Sequence, residues 1–172
     1  EPGSWHTYTL CSLNHVAPGA GPAGLGLVTE AVGLQVFGIR TAYAVTQWRS
    51  PKLAIHARFG PLELITAWTP AHSDPTTLTF TITVDSERIE RALLLDRIDL
   101  PEDGELRWID CDELDQLREL QAQLETGRRF QIVGAPMITG SYTRVPIREL
   151  PAGHPGGTGA TAEATDDRGA VS

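Results

Sequence analysis

The sequence predicts an α+β domain: a curved antiparallel β-sheet gripping one long helix near its C-terminal end, with further β material after that helix. Three observations carry this. Leu78, Phe80, Ile82 and Val84 alternate with Thr77, Thr79, Thr81 and Thr83, the period-2 signature of a strand with one buried face. Further β-favouring runs surround this segment, separated by short Ser-Pro and Gly-Pro turns. Leu114, Leu117, Leu120 and Leu124 recur at helical spacing within Asp112 to Thr126, one apolar stripe on an amphipathic helix.

The elements follow in order. Trp5 to Leu13 is a β-favouring run. Asn14 to Gly26 is dense in Gly, Ala and Pro and reads as a flexible loop. Its glycines Gly19, Gly21, Gly24 and Gly26 do not make a phosphate cradle: no Lys-Ser/Thr follows them, no strand pattern leads in, and no helix pattern comes after. Thr41 to Trp48 is a strand with Thr41, Tyr43, Val45 and Gln47 on one side. Leu53, Ile55, Ala57 and Phe59 alternate with Lys52, Ala54, His56 and Arg58, which reads as a half-buried strand. Leu62 to Thr69 is the next, with Leu62, Leu64 and Trp68 on one face and Ile65 and Ala67 on the other. Together with Thr77 to Asp85 these make an antiparallel meander. Ser86 to Arg97 fits either a helix or a buried strand. Leu106 to Ile109, Phe130 to Val133 and Met137 to Ile147 are strand candidates, the last weakened by Gly140 and Pro146. Asp112 stands as an N-cap and Gly127 as a stop for the helix between them. No internal repeat is visible. Residues 1–150 form one domain. Residues 151–172 lack large apolar side chains except Val171 and read as a disordered acidic tail, unable to offset its ordering entropy.

Composition narrows the function classes. The 172 residues carry a formal charge of −8, the wrong sign for a phosphate backbone or an anionic membrane surface. Nucleic acid and membrane are therefore excluded as expected partners. No apolar run is long enough to span a bilayer and no signal-peptide pattern is visible. Cys11 and Cys111 lie far apart with no metal-ligand spacing and read as two half-buried reduced thiols, with a disulfide between them as the alternative. A soluble, cytoplasmic protein is the expectation.

Tyr43 to Asp85 carries Trp48-Arg49-Ser50-Pro51-Lys52-Leu53, then the Gly60-Pro61 turn, then Thr76-Thr77-Leu78-Thr79-Phe80-Thr81. This segment resembles the central strands of the START/Bet v1-like (SRPBCC, polyketide cyclase-like) superfamily. The Asp112 to Gly127 helix, ending Leu124-Glu125-Thr126-Gly127, resembles that superfamily's long C-terminal helix. The resemblance implies an apolar ligand cavity between sheet and helix. It implies an activity among cyclases, dehydratases and carriers of aromatic or lipid-like molecules. The superfamily's Rieske oxygenases are set apart by an iron–sulfur motif that this sequence lacks.

No reaction motif stands out. The histidines His6, His15, His56, His72 and His154 show no ligand spacing, so no metal and no cofactor are expected. No G-x-S-x-G elbow occurs. His56 and Arg58 share one side of their expected strand. Solvent exposure is the bland outcome; turned inward, His56 is a candidate acid or base and Arg58 a candidate oxyanion holder. Trp68, Trp48, Tyr43, Phe59, Leu64 and Phe80 are candidate ligand-binding residues, because aromatic rings and apolar strand faces line pockets for flat or fatty molecules. The expected function is binding of an apolar or aromatic small molecule. The alternative is a β-sandwich or barrel module acting through its surface, in assembly, as a phage-structural protein or in immunity. An oligomer is compatible with either.

Overall fold

The structure is a computed structural model that describes residues 4–7, 24–70, 74–94, 106–140 and 142–151. The expected tail falls outside them, except Pro151, as do residues 8–13 of the first β-favouring run and Asn14 to Ala23 of the glycine-rich loop. The architecture is α+β, a curled and mostly antiparallel sheet with four helices. In chain order the elements are β1 (Ser4–Thr7), α1 (Leu25–Val36), β2 (Thr41–Gln47), α2 (Lys52–Phe59), β3 (Leu62–Thr66), β4 (Thr77–Thr83) and α3 (Ser86–Leu93). There follow β5 (Leu106–Asp110), α4 (Leu114–Glu125), β6 (Arg129–Ile132), β7 (Met137–Thr139) and β8 (Tyr142–Leu150). The strands run β1-β2-β4-β3-β6-β8-β5, with β7 paired to β8.

The sheet has one apolar face, and register defines it. Ala42 pairs with Ile82, Ile82 with Leu62, Leu62 with Ile132, and Ile132 with Ile147. All five are buried, so one row crosses β2, β4, β3, β6 and β8. A second row joins Ala44, Phe80 and Leu64, buried as well. The alternation holds over most of β4: Leu78, Phe80 and Ile82 are buried and Thr79 and Thr81 on the other face are half-buried, while Thr77 at the strand start is buried too. α2 lies on β2 and β4, α4 on β3 and β5, and α1 and α2 both pack on α3. All four helices contribute to the same apolar cluster.

The segment expected as a strand over Leu53–Phe59 is the helix α2, which breaks the expected meander. The run satisfies both periods: Leu53, Ile55, Ala57 and Phe59 fit period 2, while Leu53, His56 and Ala57 fit one helical face. Pro51 at the helix start and Gly60 at its end decide the matter. α2 then carries the chain from β2 over to β3, and β4 returns between them. The path β–α–β–β with the last strand inserted in the middle is repeated by β5, α4, β6 and β8. A sequence without visible repeats thus traces one topology twice, and the two copies meet where β3 pairs with β6. The structure does not show the sheet gripping a long C-terminal helix: α4 packs on β3 and β5, and the β material expected after it, β6, β7 and β8, enters the same sheet.

Gly60 fits the crossover for a local reason. A Cβ there would come within 1.9 Å of the Thr83 carbonyl oxygen, so only glycine lets the α2–β3 turn lie against the end of β4. The turn is held by Asp85 N–H donating to Phe59 O and Thr83 N–H to Pro61 O. α4 ends as the sequence indicates. Gly127, at φ 87, donates to Leu124 O while Arg128 donates to Gln123 O, a Schellman closure. Its N-cap is Glu113 rather than Asp112. Ser86 to Leu93 resolves as a helix, capped by Asp85, whose side chain accepts from Glu87 N–H at 3.0 Å. Pro146 sits inside β8 without breaking it. Its carbonyl accepts from Val133 N–H, just past the end of the β6 ladder, and its missing donor would point to that same side, where no strand bond is lost.

α1 contradicts the expectation that no helix follows the glycines. It starts directly after Gly24, which takes φ 80. Its sequence LGLVTEAVGLQV has no polar stripe, so a periodicity search has nothing to find.

Phe80 is completely buried between Ala44 and Leu64. Phe80→Ala should cost about 3–5 kcal/mol in urea unfolding, by lost transfer and the cavity left behind. Thr81→Ala, on the opposite face, should cost under about 1 kcal/mol. Equal costs would contradict the assigned faces.

Candidate functional site

Three places concentrate chemistry or unmet contacts. The first is a buried pair between helices. Glu30 lies on the inner face of α1 with Leu27, Ala31 and Leu34. His56 lies on the inner face of α2 with Leu53 and Ala57. The Nδ1 of His56 is 2.8 Å from Glu30 Oε1, and the two side chains are only 5% and 4% exposed. The imidazole leans on Phe80 at 5.5 Å between ring centres. Glu30 Oε2 is sealed from water without a hydrogen-bond partner. Among the described residues His56 has no other hydrogen-bond partner.

The expected strand puts His56 and Arg58 on one side; the helix separates them. Residues two apart on a helix point in different directions, so His56 faces the core while Arg58 is half-buried elsewhere. A carboxylate on one imidazole nitrogen fixes the ring's tautomer and can pass a proton. Glu30 was not legible as a site residue, because its helix was not.

The second place is the corner where β3 meets α4. The register of β3 against β4 shifts between Leu64 and Thr66. This bulge breaks the alternation, so Ala67 turns into the core and Trp68 lies half-buried beside it, the reverse of strict alternation. Gln121 of α4 receives the Ala67 N–H at 2.8 Å and the Trp68 N–H at 3.3 Å. The Arg118 guanidinium stacks over the Trp68 ring at 5.1 Å, a cation–π contact. The Trp68 indole N–H is buried without an acceptor. Trp48 differs: it is fully buried, and its indole donates to Ala67 O at 2.7 Å.

The other candidate ligand residues divide between faces. Phe59, Leu64 and Phe80 are in the core. Tyr43 pairs with Thr81 on the opposite side of the sheet. Cys111 is in the core too; burial, then the nearby Asp110 carboxylate, push its thiol up to about 12, so it is not a nucleophile at neutral pH. Cys11 lies outside the described residues. Among the described residues no cluster of His, Cys, Asp and Glu could hold a metal ion, and no helix is long and apolar enough to cross a membrane.

The third place is the outer face of α1. Leu25, Val28, Val32 and Val36 are all exposed at spacings of three, four and four. Phe37, just past the helix, is 69% exposed. The polar residues among them are Thr29 and Gln35, and no charged side chain falls on this face. α3, packed beside α1, ends in exposed Leu93 and Leu94, the latter 74% exposed. Comparison with family models, curated proteins and solved structures finds no match.

The Glu30–His56 pair gives a direct test. Removing one partner strands the other in the core, so Glu30→Leu or His56→Leu alone should each cost about 3–5 kcal/mol. Replacing both together should cost less than the larger single loss, as measured by urea unfolding. Simple additivity of the two would show that the groups are not coupled.

Proposed function

We propose that this protein is a self-assembling module that acts through its surface, and that the outer face of α1 joins it to a second copy of itself. The observation that carries this reading is a largely apolar helix with no polar stripe. Such a helix belongs in an interior, yet half of α1 faces solvent with Leu25, Val28, Val32 and Val36. Contiguous apolar surface of several hundred Å² marks an interaction site on a soluble protein.

The lack of charge on this face favours a second copy over an unrelated partner. The molecule carries −8, and copies of it repel at a distance. In a two-fold contact, groups near the axis meet their own symmetry mates, so any charge there faces itself. A charge-free helix avoids that penalty. A partner of another kind would gain steering and selectivity from complementary charges, and this face offers it none.

Trp68 supports a second reading, the binding of an apolar or aromatic small molecule. Its indole N–H has no acceptor, and a ligand oxygen would supply one. The resemblance of Tyr43 to Asp85 to the START/Bet v1-like superfamily points the same way. On this reading a helix-grip cavity opens beside α4, with Trp68 at its border and Leu64 and Phe80 behind it.

Sedimentation equilibrium should give the parent protein about twice its chain mass of 18.6 kDa. Val32→Glu should give single chains with an unchanged circular-dichroism spectrum, since the side chain is half exposed in the single chain. A parent that stays monomeric across the concentration series contradicts self-assembly. For the second reading, a hydrophobic fluorophore should bind saturably and raise the melting temperature, with weaker binding in Trp68→Phe; no uptake by the parent removes that reading.

A further inference from the structure

We infer that a small cleft at one end of the sheet binds a phosphate group, through Arg88 of α3 and Arg148 of β8. The cleft is open to solvent, about 130 Å³ in volume, and lined by Ala57, Gly60, Arg88, Gln131, Val133 and Arg148, among others. It lies where α2 turns into β3 and where β6 ends, so backbone from two crossings walls it.

The arginines of this acidic chain are mostly matched. Arg49 pairs with Asp112, Arg107 with Glu119, and Arg118 with Asp115. Arg128 pairs with Glu149, Arg129 with Glu63, and Arg144 with Asp110. The two that line the cleft are held less closely. Arg148 has no carboxylate partner among the described residues: one Nη donates to the Gln131 amide oxygen at 2.8 Å. Its Nε–H is shut away from water with no acceptor. Arg88 approaches Asp85 only at 3.9 Å, beyond hydrogen-bonding distance.

A buried guanidinium donor without an acceptor is costly. A carboxylate nearby would have been the ordinary remedy, and the molecule has acids to spare. With the Asp85 carboxylate 3.9 Å from Arg88, two arginines lining one cleft instead bring two guanidinium groups to its walls. That matches the charge and oxygen count of a phosphate dianion. The volume accommodates a tetrahedral oxyanion, and the cleft is open to solvent on one side. This inference rests on neither reading of the function.

The test is titration of the full chain with inorganic phosphate at constant ionic strength, followed by the ¹H–¹⁵N signals of the arginine side chains. A phosphomonoester and acetate serve as parallel arms. The side-chain N–H signals of Arg88 and Arg148 should shift saturably. Arg88→Gln and Arg148→Gln should each weaken binding at least tenfold, whereas Arg128→Gln, at an exposed pair, should not. Should Arg148→Gln fail to fold, Arg88→Gln on the exposed side of α3 decides alone. Equal or tighter binding of the monoester identifies a phosphorylated small molecule as the ligand class; binding of inorganic phosphate alone identifies the free ion. No saturable shift, unchanged affinity in Arg88→Gln, or acetate binding as tightly as phosphate would overturn the assignment.

Discussion

One apolar sheet face governs this molecule. The row Ala42, Ile82, Leu62, Ile132 and Ile147 runs side by side across five strands, and every helix contributes to the cluster it belongs to. A sheet with a single buried face needs a cover on that side alone. The crossovers through α2 and α4 supply it while carrying the chain between parallel strands. β4 and β8 then fill the gaps left between those strands. The fold is therefore one solution, used twice, to covering one face, with the short β3–β6 pairing as the join.

The legible parts of the sequence were those with a single possible period. β4 has three apolar residues alternating with four threonines, and its faces follow that alternation except at Thr77, which is buried. α4 has a leucine stripe and a glycine stop: Gly127 closes the helix, and Leu117 and Leu120 are buried with Leu124 partly so, while Leu114 at the helix start is exposed. β5 and β6 were found as short apolar runs, and β8 as the long end of a run split near Gly140. The misread parts were those that satisfy two periods or none. α2 is short enough that Leu53, Ile55, Ala57 and Phe59 fit a strand, and only Pro51 and Gly60 mark it as a helix. α1 is largely apolar and shows no stripe. Losing those two helices hid the Glu30–His56 pair, since its members come from one helix each. A bulge at Leu64–Thr66 moved Trp68 off the face that alternation assigned to it.

The same two helices set the chemistry of the molecule. By giving its one carboxylate to the core, α1 leaves its outer face without charge. α2 turns His56 inward to meet that carboxylate, and its end at Gly60 forms one wall of the cleft between Arg88 and Arg148. Polar groups without a full set of partners are thus gathered at the helix layer and at the sheet end: Glu30 Oε2, the Trp68 indole and the Arg148 Nε. Buried polar groups in this state are costly to stability. The Trp68 indole and Arg148 carry the small-molecule and phosphate readings proposed above, while self-assembly rests on the outer face of α1.

The central claim is that β4 lies between β2 and β3, with α2 crossing over them. Cross-strand nuclear Overhauser contacts in uniformly labelled protein test it most directly. The strand order predicts contacts from Phe80 to both Ala44 and Leu64, and helical sequential contacts through Lys52 to Phe59. Strand-type contacts between Thr41–Gln47 and Leu53–Phe59, with none from Phe80 to Ala44, would contradict it.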